Sequence, residues 1–314
     1  MGFATSQQLN KFYDSYKNID VTFTKDVIQA LSLNTQQVYV RCAGSQWPCI
    51  INSASMVGAK IIAGKKSGLY AKIEEGHTNL RIRFFFFEPG AKDSLSFFVS
   101  AKLIDTTPYG SSADLVIFSL EYTQRAPDDL IEKLGFLLEA NISSTKRKEE
   151  RIQLDPASMR KMNLAKKETI VFIQGIPRRC ILRDLSFSGA RFIMVGVGSF
   201  LSQKGAMLKI DFEEPDVNIG IRGKIVRAEQ VEGRKDLVSL AMEFTPGTVP
   251  MIYKMHLNQY FSHSRNIPPL ESEQQPVQET NQQIQKPQER NPAEPKQAEI
   301  PGGLNDLNLP DFTS

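Results

Sequence analysis

The chain has 314 residues, 41% of them hydrophobic, enough for two ordinary domains with cores of their own. Its formal charge of +3, from 38 basic and 35 acidic residues, excludes a global field that would gather nucleic acid without specificity, so anion recognition has to be local. Cys42, Cys49, Cys180, His77, His256 and His263 are scattered without metal or disulfide spacing, and no run of about 18 apolar residues exists to span a bilayer, so a soluble, cytoplasmic chain is expected.

The opening "MGFATS" fits a myristoylation pattern too short to carry weight. Next, "QQLNKFYDSY" has helical spacing. Strand-like runs follow as "QQVYVRCA", "LRIRFFFF", "SLSFFVSAKLI" and "DLVIFSLEY", and then a helical pattern, "PDDLIEKLGFLLEAN", near residue 130. The sequence of signals then repeats with "TIVFIQG", "GAMLKIDFEE" and "LVSLAMEF", ending in helical "VPMIYKMHLNQYF" near residue 255. Short strands divided by turn residues and followed by a helix predict small barrels with helical lids. "RIRFFFFEPG" (81–90) is the most apolar strand candidate of the first half and is expected inside the sheet, with contact to the second domain as the alternative for a strand apolar on both faces. From about residue 264 the chain turns to Gln, Pro, Glu and Asn, a composition expected to stay disordered, although Leu304, Leu307, Leu309 and Phe312 near its end suggest a short docking motif.

An internal repeat underlies this recurrence. With Cys49 placed over Cys180, residues 38–62 match 169–193 without a gap, including Val40/Val171, Gly44/Gly175, Ser55/Ser186 and Gly58/Gly189. In a second register "DLVIFSLEYT" lies over "DLVSLAMEFT", and the first copy is longer between the two registers. A tandem duplication of one small barrel is expected, joined near "NISSTKRKEER" (141–151).

Two motifs can carry chemistry. Arg147 and Arg151 form R-x-x-x-R in the junction; in an extended chain, residues four apart share a face, so their guanidinium groups can converge on one ligand. Asp184, Ser186 and Gly189 form D-x-S-x-x-G at a strand-to-strand turn: an acceptor for N–H groups, a hydroxyl, and a residue that permits close backbone approach. Taken alone, the first is an ordinary solvated charge run and the second an ordinary hairpin turn. No nucleophile–histidine pair, metal cluster or phosphate loop accompanies them, so the chain is not expected to be an enzyme or to hold a cofactor or metal.

In combination the motifs, with "RGKIVR" and "VSLAMEF" downstream, resemble the PilZ family of bacterial cyclic di-GMP receptors over residues 146–262. The resemblance implies a mainly β chain. It would have two tandem six-stranded antiparallel PilZ-like barrels, each closed by a C-terminal helix, and a disordered tail. The expected division is a degenerate, ligand-free barrel at 1–140, a linker and arginine arm at 141–151, a cyclic di-GMP-binding barrel at 152–262, and a tail at 263–314. It further implies that Arg147 and Arg151 hold phosphates and a guanine edge, that Asp184 accepts guanine N–H groups, that Ser186 meets a nearby polar atom, and that Gly189 leaves room for the base. Lys146, beside Arg147, occupies a position that in the family affects whether one or two ligand molecules bind. Arg179 and Arg183 repeat the R-x-x-x-R spacing inside a strand, where it does not match the family, and Arg191 reads as a surface residue that pairs with acids.

In the repeat register, Arg147, Arg151 and Asp184 fall on Tyr16, Asp20 and Ser53, while Ser55 and Gly58 persist. The first copy therefore keeps the turn and loses the ligand set. The expected function is a cyclic di-GMP effector that couples binding at the second barrel to interdomain rearrangement and regulation of a protein partner, with the flagellar motor as the candidate and bacterial motility or surface behaviour as output. The alternative is a ligand-independent adaptor built from the two barrels. A small-barrel RNA binder needs aromatic and basic residues interleaved on one strand face; "RIRFFFF" does not continue its basic spacing, so no DNA or RNA partner is expected.

Overall fold

The computed structural model describes residues 4–87 and 94–265. The expected tail from residue 266 on, with its Leu-rich end, and residues 88–90 of "RIRFFFFEPG" lie outside them.

Thr5 begins the first helix, α1 (Ser6–Tyr16), through a capping box: its hydroxyl accepts the Gln8 N–H at 3.3 Å and the Gln8 side chain accepts the Thr5 N–H at 3.2 Å. There follow β1 (Val21–Thr22), α2 (Lys25–Leu31), β2 (Tyr39–Cys42), β3 (Ser45–Pro48), β4 (Ile50–Ala54), β5 (Gly58–Gly64), α3 (Gly68–Glu74), β6 (Asn79–Phe86), β7 (Leu95–Pro108), β8 (Leu115–Tyr122) and α4 (Asp128–Lys146). The second half runs through β9 (Ile152–Gln153), α5 (Pro156–Lys161), β10 (Glu168–Ile173), β11 (Ile176–Leu185), β12 (Gly189–Val195), α6 (Gly198–Leu201), β13 (Gly205–Phe212), β14 (Val217–Val231), β15 (Arg234–Phe244) and α7 (Met251–Arg265). The short helices α2, α3, α5 and α6 were not expected, because four to seven residues are too few for a helical period to stand out.

The repeat holds down to backbone irregularities. Ala43–Gly44 and Gln174–Gly175 make the same hairpin turn with positive φ at both residues. Bulges fall between Ile51 and Ser53 and between Leu182 and Asp184, and a second pair falls at Leu103/Asp105 and Ile225/Arg227. Isolated bridges join Leu33 to Phe86 and Leu164 to Phe212.

The two sheets nevertheless differ, and the expectation of two six-stranded barrels holds only for the second. There β10-β13-β14-β15-β12-β11 closes through the β10–β11 pairing, with β9 added beside β11. The first is an open eight-stranded sheet, β1-β4-β5-β8-β7-β6-β2-β3. The cause is local. The ten-residue β11 pairs with β10 through its first part and with β12 through its second. Its counterpart is broken into β3 and β4 at Cys49, after Pro48, which has no N–H to give the ladder. The Cys49 N–H reaches the Val38 carbonyl at only 3.4 Å.

The two halves share one buried apolar cluster. Gly135 of α4 lets Phe12 of α1 lie against the helix, since a Cβ there would collide with the ring. The two helices expected as lids, α4 and α7, also pack on each other. Lys254 donates to the Asn141 side chain at 3.0 Å, Asn258 to Glu139 at 3.3 Å, and the Met251 N–H of α7 to the Asp26 carboxylate of α2 at 2.9 Å. No described helix is long and apolar enough to cross a membrane.

Candidate functional site

The site residues are positioned by a turn, a short arm and a helix. In the turn between β11 and β12, the Gly189 N–H donates to Ser186 Oγ at 3.0 Å, and the Ser186 hydroxyl and N–H both donate to the Gly189 carbonyl, at 3.1 and 2.8 Å. Ser186 is fully buried. A Cβ on Gly189 would collide with the Met242 carbonyl on β15. The first half repeats this geometry: Gly58 donates to Ser55 Oγ at 3.1 Å, and a Cβ on Gly58 would meet the Leu120 carbonyl. Ser186 and Gly189 thus have a structural duty that needs no ligand.

Asp184 differs from this pair. It is 1% exposed, and on one side its Oδ1 accepts a charge-assisted hydrogen bond of 2.6 Å from Arg151 Nη1. Its Oδ2 lies 3.4 Å from Arg191 Nε, close enough for ion pairing, but accepts no hydrogen bond. A buried carboxylate oxygen without a donor is costly in a folded protein, and here it sits between two guanidinium groups. Arg191, expected to pair with acids at the surface, pairs with this one while half exposed.

The arm is not extended, which corrects the expectation that residues 147 and 151 share a strand face. Residues 141–146 complete α4, Arg147 is its C-cap with φ −114°, and 147–149 form a turn. The two arginines consequently have separate partners. The Arg147 guanidinium lies 4.9 Å from the ring centroid of Phe261 on α7 and 3.5 Å from Glu150, whereas Arg151 holds Asp184. Both remain tied to the turn: Phe187 contacts Phe261 at 5.8 Å between centroids, and the Ser188 hydroxyl donates to the Lys148 carbonyl at 2.9 Å. Arg179 and Arg183 lie on β11, as expected from the sequence.

Tyr253, which the sequence showed only as an apolar position on a helix, supports the turn from α7. Its hydroxyl donates to the Ser186 carbonyl at 2.8 Å. Burial pushes the phenol well above its usual pKa, with Arg151 opposing and Asp184 adding to the shift. Burial likewise raises the thiols of Cys49 and Cys180 to about 12, which leaves them unreactive. Among the described residues no group of His, Cys, Asp and Glu is arranged to hold a metal ion.

A PilZN3 domain matches residues 7–141 and a PilZ domain matches residues 145–262. The chain is 57% identical over 263 residues to a "Cyclic di-GMP binding protein" of Treponema denticola, an alignment that covers 83% of this chain and 84% of the relative. Similar solved structures include PlzA of Borreliella burgdorferi in complex with c-di-GMP, at 23% identity and a TM-score of 0.37 over 82% of this chain and 99% of that one. Another is YcgR of Escherichia coli in complex with c-di-GMP, at 13% identity and a TM-score of 0.25 over 77% and 87%. With more than half of the aligned residues identical to that Treponema relative across most of both chains, the chain belongs to the PilZ family and carries a PilZN3 domain ahead of its PilZ domain.

Proposed function

We propose that this chain is a cyclic di-GMP receptor whose PilZ domain binds the ligand through Arg147, Arg151 and Asp184, while Ser186 and Gly189 hold the turn that presents Asp184. The observation that carries this reading is the Asp184 Oδ2 atom, buried, without a hydrogen-bond donor, and set beside Arg191. A guanine edge offers two N–H donors to such a carboxylate, and a phosphodiester offers the anion that a released arginine needs. The name of the Treponema denticola relative is in keeping with this ligand.

Binding also has a route to the rest of the molecule. Arg147 rests on Phe261 of α7, and α7 packs on α4. Drawing Arg147 and Arg151 onto two phosphates removes the Phe261 contact and the Asp184 ion pair together, which biases the packing of α7 and with it the two domains. We assign the output to control of a protein partner, with motility or surface behaviour as the process, on family resemblance.

Titration calorimetry of the full chain with cyclic di-GMP tests the proposal. Saturable heat is expected with intact protein, together with loss of at least about tenfold in affinity in each of Arg147→Ala, Arg151→Ala and Asp184→Ala. Absence of heat with intact protein, at micromolar concentration and moderate salt, would leave the ligand-independent adaptor as the correct reading.

A further inference from the structure

The open sheet of the PilZN3 domain carries a second surface of distinct chemistry. Period-two alternation buries Leu80, Ile82, Phe84 and Phe86 of β6 and turns Arg81, Arg83 and Phe85 outward, with exposed Phe87 following the strand. The expected interior position therefore holds for one face of the strand and not for the other. Register completes the face. Arg41 lies opposite Arg81 and Tyr39 opposite Arg83 on β2, while Phe98 lies opposite Arg83 and Lys102 opposite Asn79 on β7. The outward row thus brings together four cations (Arg41, Arg81, Arg83 and Lys102) and aromatic rings from three neighbouring strands.

These groups already engage one another in the manner of a stacking surface. The Arg41 guanidinium lies 4.4 Å from the Phe98 ring centroid, Arg83 lies 5.3 Å from that of Phe85, and the Phe85 and Phe87 rings meet edge to face. Phe98 is 38% exposed and Phe87 53%. None of the four cations makes an ion pair with a described acid, and Arg41 directly opposite Arg81 is a like-charge pairing that weakens a sheet. Folding does not call for this arrangement. The matching face of the second half carries Ile170, Phe172, Met207, Lys209 and Asp211, as the shared Val40–Ile82 and Val171–Leu208 registers show. There Arg41, Arg81 and Arg83 are replaced by Phe172, Met207 and Lys209 and an acid stands at Asp211, while Arg222 and Lys224 on β14 are further outward cations.

We infer that the outer face of β2, β6 and β7 binds single-stranded nucleic acid, with Arg41, Arg81, Arg83 and Lys102 on phosphates and Tyr39, Phe85 and Phe98 stacking bases. A polyanion with exposed planar rings answers both halves of the chemistry: phosphates meet cations that have no acid partner among the described residues, Arg41 having only the neutral Gln46 Oε1 at 3.0 Å as a side-chain acceptor, and bases cover the aromatic faces. Outward side chains about 7 Å apart along a strand and strands about 4.8 Å apart give a platform for a few nucleotides, recognised with little sequence preference. This departs from the expectation of no DNA or RNA partner, which rested on the basic spacing stopping after Arg83 on β6. That spacing continues across strands, onto Arg41 and Lys102. This inference does not depend on cyclic di-GMP binding by the PilZ domain.

Fluorescence anisotropy of the full chain with labelled poly(U) RNA and poly(dT) DNA of about twelve nucleotides provides the test. Binding is expected to at least one of the two, with a slope of log affinity against log salt of roughly −3 for four phosphate contacts. The double variant Arg81→Ser/Arg83→Ser should weaken binding at least about tenfold and flatten that slope. Phe98→Ala should weaken binding with the slope unchanged, and Arg147→Ala should leave both unchanged. Thermal melting of each variant at the parent temperature establishes that the fold is intact, and Phe98→Ala provides a reading independent of charge. The inference is overturned if neither oligonucleotide binds at low salt. It is equally overturned if the Arg147 variant loses binding as far as the Arg81/Arg83 variant does, or if vesicles of anionic phosphatidylglycerol bind through these arginines while nucleic acid does not.

Discussion

The two halves hold the same three positions in opposite senses. In the second, a base on the arm, Arg151, meets an acid on the strand, Asp184, with Arg191 alongside. In the first, the arm has the acid: Asp20 pairs with Lys60 at 2.7 Å and accepts a hydrogen bond of 3.3 Å from Ser53. The first set is neutral and internally complete, and its ion pair is nearly half exposed. The second has one positive charge left over and a buried carboxylate oxygen without a donor. The S-x-x-G turn recurs around them, with the glycine N–H donating to the serine Oγ at 3.1 and 3.0 Å, so what separates the triads is electrostatic demand. A closed fold can supply the turn by itself, but the second triad keeps an acceptor that no described group fills.

The helices that follow the sheets carry the contrast further. With Pro127 aligned on Pro250, Leu130 corresponds to Tyr253 and Lys133 to His256. Lys133 Nζ lies over the Phe86 ring, 4.9 Å from its centroid, whereas His256 stacks flat on Phe212 at 3.9 Å. Only the second helix reaches the S-x-x-G turn with a hydroxyl.

The strongest way to break the comparison is to give the second triad the residue of the first. Asp184→Ser should lower affinity for cyclic di-GMP by about a hundredfold, near 3 kcal/mol, in a calorimetric titration. If the affinity stays, the acid is not what distinguishes the halves.

The helix contrast can be read as a pH dependence. Burial holds the His256 imidazole at about 4 against an ordinary 6.5. Its folded pKa is depressed, so its contribution is fully present above pH 6.5 and is lost as pH falls through the folded value. Between those limits the unfolded chain binds the extra proton, and up to about 3 kcal/mol is at stake. Urea denaturation of the parent and of His256→Phe at pH 7.5 and pH 4.5 should show a smaller loss of stability on acidification in the variant. Equal losses would remove His256 from the account.

Glycine substitutions sharpen what the halves share. Gly58→Ala and Gly189→Ala each press a methyl group against a backbone carbonyl, and each should lower stability by about 2 kcal/mol. A large effect at Gly189 with none at Gly58 would mean that the two turns are not equivalent. The smallest difference concerns the ion pairs. Arg151→Ala leaves the buried Asp184 with Arg191 alone and should reduce stability by about 1–2 kcal/mol, while Lys60→Ala, on an exposed pair, should change it by less than about 0.5 kcal/mol. Chemical denaturation of both variants gives the ratio.

Much of this was legible in the residues. The repeat registers, the turn kept by Ser55 and Gly58, the loss of the arginine pair from the first copy and the positions of α1, α4 and α7 all followed from patterns local in sequence. Local pattern is sufficient there because a positive-φ hairpin, a capped helix and an alternating strand are each specified within a few residues. What the sequence did not contain was closure and pairing. Whether Pro48 would break one strand and open a sheet depended on which strands lay on either side of it. That Arg147 rests on Phe261 while Arg151 holds Asp184 depended on a helix more than a hundred residues away along the chain. The row of arginines and aromatic rings on the PilZN3 sheet exists only across strands, where residues far apart in the chain become neighbours through hydrogen-bond register. Sequence by itself determined the elements and the candidate motif; tertiary structure decided which charges meet, because ion pairs, stacking and sheet closure depend on distance in space and not along the chain.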